Sequence, residues 1–401
     1  MTRHGTDGAG VFPIQWLEAA VENGVIRSST PIPPGNLQPA SLDLRLGATA
    51  YRLQSSFLPS RADVEARLEA LAMDQLDLRG EGGVLETNRP YLIPLLEELD
   101  LPQDVHARAN PKSSTGRLDV FTRVITDRGQ AFDDVRPGYR GNLYLEVVPL
   151  SFTIRVRQGI SLNQLRLARG NEHLDDTEVR ELHARTPILF RDAVAVPGRD
   201  LRVRGRGVFL GLDLQPDAAG SVGFRARRNS RVVDMSRTDH PPEDYWEPVR
   251  GQHGGVVLEP EQFYLLMSAE SVRIPPHVAS EMTAYDPTSG ELRTHYAGFF
   301  DPGFGHAPAG ATIGSRAALE VRAHDVPFLV EHGQPVCKLQ FERMAEVPDR
   351  LYGWDLGSSY QGQVVTLGKH FVRPSGPQPR QLRLLTPPST GTEAPLGATE
   401  R

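Results

Sequence analysis

The 401-residue chain contains one cysteine, Cys337. An internal disulfide and a Cys-x-x-Cys metal site are therefore both excluded, and none of the 12 histidines is followed two places later by glutamate. Cys337 lies in the alternating stretch Pro335-Val336-Cys337-Lys338-Leu339-Gln340-Phe341, where a packed thiol is expected rather than a nucleophile. No run approaches the 18 apolar residues of a membrane span, and the first dozen residues lack the apolar core of a secretory signal. The expected location is the cytoplasm. Excess positive charge is missing too, since Lys+Arg 44 against Asp+Glu 50 gives a net charge of -6. The chain as a whole has no electrostatic attraction to nucleic acid, and any phosphate site must be local.

What is present is glycine and proline, 38 and 33 residues respectively, which leave little room for long helices. Residues 12 to 25 read as one short amphipathic helix ended by Gly24, and Arg61 to Leu71 as a second. Leu42-Asp43-Leu44-Arg45-Leu46 alternates with period two, as do Ser151 to Val156 and, less cleanly, Val321 to Val330. The expected class is mainly β. An internal repeat organises it: Tyr91-Leu92, Leu101-Pro102 and Val105 recur 173 residues later as Tyr264-Leu265, Ile274-Pro275 and Val278. Leu145-Glu146-Val147 recurs after 174 residues as Leu319-Glu320-Val321. The pattern predicts a first domain over 1–192, a second over 200–373 joined through Pro197-Gly198, and a disordered tail over 374–401 rich in Pro, Gly, Ser and Thr.

One constellation carries chemistry. Residues 109 to 118 read Ala-Asn-Pro-Lys-Ser-Ser-Thr-Gly-Arg-Leu, and Glu146 follows inside the apolar run Leu143-Tyr144-Leu145-Glu146-Val147-Val148. A carboxylate in an apolar strand, after a Lys/Ser/Ser/Arg loop, suits activation of water beside bound phosphate. Burial would raise the Glu146 pKa while Arg117 opposes the shift, and Lys112 with the amides of Ser113, Ser114 and Gly116 would receive phosphate oxygens. Competing expectations are plainer. Glu146 could salt-bridge an arginine across the sheet, Asp43 and Arg45 could mark a solvated strand face, and Tyr352 and Tyr360 could be packing aromatics.

The loop, the Leu-Glu strand and Gln38-Pro39-Ala40-Ser41-Leu42-Asp43-Leu44-Arg45-Leu46-Gly47 resemble the dCTP deaminases, which share a β fold with dUTPases. The resemblance implies two tandem dUTPase-like β-barrel or β-clip domains with a few short helices. It implies catalysis by Ser113, Arg117 and Glu146, and nucleotide contacts from Lys112, Ser114 and Thr126. Tyr352, Tyr360 and Gln363 resemble the family's closing segment, in which Ser359 stands where lysine is common. Thr126 replaces a customary alanine, and Arg136 stands where an Asp-Pro-Gly-aromatic motif has its aspartate. The second copy keeps that motif as Asp301-Pro302-Gly303-Phe304, and keeps Glu320, but has Asp286 and Gly290 in the places of Ser113 and Arg117. These complementary losses suggest composite sites, with Asp301 on the sugar 3′-OH, Phe304 against the deoxyribose and Glu320 as a possible second catalytic carboxylate.

The activity so implied is hydrolytic deamination of dCTP to dUTP and ammonia in pyrimidine deoxynucleotide supply. Mg²⁺ would arrive with the triphosphate, no metal would be bound by the protein itself, and zinc is not expected because the zinc deaminases need a cysteine pair and His-x-Glu. dTTP is a candidate inhibitor, and a homo-oligomer of trimeric or pseudo-trimeric form is implied. Two alternatives remain open: a dUTPase or bifunctional enzyme making dUMP, and a non-catalytic nucleotide-binding regulator.

Overall fold

The computed structural model describes residues 8–251, 254–284, 292–294, 298–306, 314–323, 326–353, 360 and 366–372. Gln363, Asp286, Gly290 and the expected tail lie outside these residues. The chain is mainly β, as its composition requires. The helix expected over 12 to 25 covers Ile14–Glu22 and buries Ile14, Trp16, Leu17 and Ala20. The one expected from Arg61 begins only at Val64 and runs to Leu71.

Paired strands recur along the chain. Tyr91–Asp100 pairs antiparallel with Arg140–Pro149, and Phe263–Val272 pairs in the same sense with Ser315–Ala323. Glu146 lies opposite Leu92 and Glu320 opposite Leu265. The ladder between Val105–Pro111 and Ser161–Arg169 likewise has a counterpart between Val278–Ala284 and Pro335–Arg343. These are the segments in which the sequence repeats.

The two halves interlock. Val233–Asp234, from the second half, adds in parallel to Ile154–Val156 of the first. Tyr245, Trp246 and Phe371 enter the core built around Leu42, Tyr91, Leu145 and Phe152. In the other direction, the segment from Leu174 to Val196 packs on the second core, although the first domain was expected to run to residue 192. Helix Asp176–Arg185 starts there on a capping box, with the Asp175 side chain accepting from Glu178 N–H and the Glu178 side chain returning the bond. Leu189–Arg191 then pairs with Phe263–Val272, so the join between the cores falls before Leu174.

A buried polar seam crosses the same boundary. Arg166 on Ser161–Arg169 donates to Asp301 at 3.1 Å and to Glu342 at 2.5 Å. Arg108 pairs with Glu342 and, at 2.9 Å, with Glu281, which accepts from Asn110 at 2.7 Å. Buried charges need such mutual satisfaction, and here it specifies how the halves meet.

Candidate active site

The loop after Val105–Pro111 turns through a single helical turn, Ser113–Gly116. Thr115 and Gly116 N–H close it by donating to the Lys112 carbonyl at 2.8 and 3.0 Å, so the Gly116 amide serves the turn rather than a ligand. Lys112, Ser113, Ser114 and Arg117 then face a cavity of about 320 Å³ whose opposite wall comes from the second half: Asp301, Phe304, Ala318, Glu320, Tyr352 and Tyr360. Within one chain, the cationic loop of the first half meets the carboxylates and aromatics of the second.

Glu320 is the carboxylate against the loop. A Cβ placed on Gly116 would lie 2.5 Å from Glu320 Oε2, so only glycine lets the carboxylate approach that peptide. Burial pushes the Glu320 pKa up to about 8, Arg117 opposes the rise, and the negative charge of Asp119 adds to it. Arg117 is held in turn: its Nη1 donates to the Thr366 carbonyl at 3.1 Å, and its guanidinium sits 3.8 Å from the Tyr360 ring centroid. Tyr360 N–H donates to the Tyr352 hydroxyl at 3.2 Å. Phe304 packs edge-on to Phe300 and against Tyr352, with ring centroids 5.0 and 5.6 Å away. Asp301 is buried beside Arg166, with its pKa raised by desolvation.

The structure separates Glu146 from this loop. Glu146 lies across the ladder from Arg123 and accepts from its Nε at 3.2 Å, while that guanidinium stacks 3.6 Å over Phe132. The plainer expectation, a cross-strand ion pair, describes Glu146, and neutralisation by Arg123 leaves it no part in the cavity. Thr126 also lies elsewhere, bordering a separate cleft with Arg61, Arg128 and Arg136. The remaining expected residues that are described, Lys112, Ser113, Ser114, Arg117, Asp301, Phe304, Glu320, Tyr352 and Tyr360, are brought together.

Several lining residues were not singled out from the sequence. Asp43 and Arg45 are buried rather than solvated: Asp43 pairs with Lys112 at the cavity, and Arg45 with Glu97 at 2.6 Å. Both sit on Leu42–Arg45, where every residue is buried, so alternation gave no usable signal. Gln38, Gln164 and Lys369 complete the wall. Lys369 lies far along the chain from the loop, and only the fold-back of residues 366–372 brings it near. Elsewhere, ligand atoms of Glu172, His173 and Glu342 fall within 4.8 Å of one another. Arg108 and Arg166 already engage Glu342, and His106 lies 3.3 Å from Glu172, which makes this group part of the polar seam.

An interlocked β protein with a cationic loop facing a buried carboxylate and a cluster of aromatic rings has the features of the nucleotide-handling class. Comparison with known proteins gives the family. Residues 8–171 match the N-terminal domain model of 2′-deoxycytidine 5′-triphosphate deaminase and residues 175–371 its C-terminal domain model, and the chain belongs to this family. A solved structure of 2′-deoxycytidine 5′-triphosphate deaminase from Agrobacterium tumefaciens is 43% identical, covers 85% of this chain and 100% of its own, and superposes with a TM-score of 0.79. Among curated relatives, a "dCTP deaminase, dUMP-forming" from Methanoculleus marisnigri is 30% identical over 38% of this chain and 77% of its own length. One of the same description from Parafrankia sp. is 31% identical over 39% and 76%. The matched boundary at 171/175 falls where the cores divide.

Proposed function

We propose that this cavity deaminates dCTP hydrolytically, with Glu320 as the group that moves protons. The observation that carries the reading is the Glu320 carboxyl, buried against the Gly116 peptide of the cationic loop with a pKa pushed up to about 8. A water adding to C4 must lose a proton, and the amine must gain one to leave as ammonia; a carboxyl titrating near neutrality can take the first and return it. The C4–N bond breaks and a C4 carbonyl forms, so dCTP and water give dUTP and ammonia. Ser113 lies beside Gly298 and lines the same cavity as Glu320, and suits holding the water. Lys112, Arg117 and Lys369 supply positive charge for the triphosphate, which would enter as its Mg²⁺ complex. Asp301 and Phe304 would form the sugar end, with Phe304 packed between Phe300 and Tyr352.

The product expected from the sequence was dUTP. The curated relatives are described as dUMP-forming, and on that ground we propose dUMP here: a second water would displace pyrophosphate at the α-phosphate. One site per chain follows from this reading, since Glu146 is neutralised by Arg123. Neither oligomerisation nor inhibition by dTTP is needed to build the site, and both are proposed on resemblance alone.

Incubation of the protein with dCTP tests the reading. Ammonia and pyrophosphate released one to one identify the dUMP-forming reaction, and ammonia without pyrophosphate the simple deaminase. Tight dCTP binding with neither product would overturn deamination and leave a binding module. The charge on Glu320 sets a pH dependence as well. The base is competent only when ionised, so kcat/KM is expected to rise with pH and level off above about 8. A profile already flat from pH 6 upward would remove Glu320 from that role.

A further inference from the structure

Asp119 follows the loop directly, with a φ of 58° and a fully buried side chain. A non-glycine residue rarely adopts that backbone without compensation. Here its N–H donates to the Gly116 carbonyl at 2.8 Å, closing the turn against which Glu320 rests, and its carbonyl receives Leu150 N–H at 2.9 Å. Its carboxylate reaches into the other half of the molecule. Arg322 Nε donates to both carboxylate oxygens at 3.2 and 3.1 Å, Arg322 Nη2 also engages it, and Ser151 donates its hydroxyl to the same group. Arg322 stands two residues beyond Glu320 on strand Ser315–Ala323, so the two side chains leave one face of that strand.

We propose that Asp119 and Arg322 act as a positioning pair: their two-pronged ion pair locks the strand bearing Glu320 onto the end of the phosphate loop and so fixes the carboxylate over the Gly116 peptide. This rests on Glu320 being the proton-moving group. The pair is charge-assisted and bidentate, with Asp119 fully buried and Arg322 largely so, the combination that fixes geometry as well as contributing energy. It joins loop and strand at the point where a displacement of about 1 Å would cost on the order of a hundredfold in rate. Asp119 does more than hold. Its negative charge raises the proton affinity of Glu320 while Arg117 lowers it, and Lys112, Asp43, Asp301 and Lys369 also border the cavity.

The test is the pH profile of ammonia release from dCTP by D119N, R322Q and the D119N/R322Q double variant. D119N removes the negative charge and is expected to move the acidic limb of kcat/KM down by about one pH unit, with kcat lowered and the KM for dCTP nearly unchanged. R322Q leaves Asp119 unbalanced, and its limb should move up. The double variant removes both charges together and is the readout where a single variant does not fold; its limb should also move down. If the folded variants lose activity equally at every pH with the limb at the wild-type position, or if the double variant retains both wild-type kcat and limb, the positioning role is overturned. Absence of ammonia release from wild-type protein would instead overturn the deaminase reading itself.

Discussion

Replacement of Glu320 by glutamine should lower ammonia release from dCTP by about 10²–10⁴-fold, the usual range for removing a positioned proton-transfer group, with dCTP still bound. Glutamine keeps the volume and hydrogen-bonding shape of the side chain but can neither accept nor return a proton at this pH. Binding survives because the triphosphate is expected on Lys112, Arg117 and Lys369, which the substitution does not touch. Glu146→Gln is the control that separates the two halves. Glu146 faces Arg123 outside the cavity, so its replacement should leave kcat near wild type and act on stability instead. Isothermal titration of dCTP alongside single-turnover ammonia release checks both variants. A Glu146→Gln enzyme as dead as Glu320→Gln would mean that the chemistry is routed through the wrong half.

The contrast between these two residues shows how far the sequence could be read. Both glutamates occur as Leu-Glu-Val in strands of the same register, so the repeat was visible from the spacing alone. Which one meets the loop is a matter of how the halves dock. That information is spread over contacts more than a hundred residues apart, such as Arg166 with Asp301 and Asp119 with Arg322. The missing Ser113 and Arg117 counterparts in the second half suggested a composite site, and residues of both halves do line one cavity. They did not indicate that Glu320 rather than Glu146 would lie against the loop, because the Arg123 partner of Glu146 sits 23 residues away on a neighbouring strand. The boundary at Leu174 was hidden for a similar reason: the segment to Val196 is short, with one helix and brief strands, and only its apolar contacts assign it to the second core. Asp43 and Arg45 read as solvated because charged residues at alternate positions usually are; their partners Lys112 and Glu97 lie 69 and 52 residues away.

The seam that decides the docking should also dominate stability, and Arg166→Met is expected to cost about 3–5 kcal/mol, the usual result of removing one member of a buried ion group. Arg166 is 2% exposed, bonded to Asp301 and Glu342, to the carbonyls of Ala40 and Ser280 at 3.3 Å, and set 3.9 Å over Phe299. Methionine fills much of the volume but satisfies none of these acceptors. Glu342 retains Arg108, whereas Asp301 loses the cation that holds its proton affinity down. The sign of the pH dependence follows. Burial already raises the Asp301 pKa above its unfolded value, and loss of Arg166 raises it further, so the folded variant binds a proton that the unfolded chain does not. Stability then falls as pH rises through the folded-state pKa, and the defect of Arg166→Met should be smaller at mildly acidic pH than at mildly alkaline pH. Denaturant unfolding at two pH values, with equal slopes for variant and wild type, measures the difference. Adding Asp301→Asn should restore a large part of the loss at alkaline pH, because it removes the orphaned charge rather than the contact. A double variant no more stable than Arg166→Met would show that packing against Phe299, and not the charge on Asp301, is what Arg166 contributes.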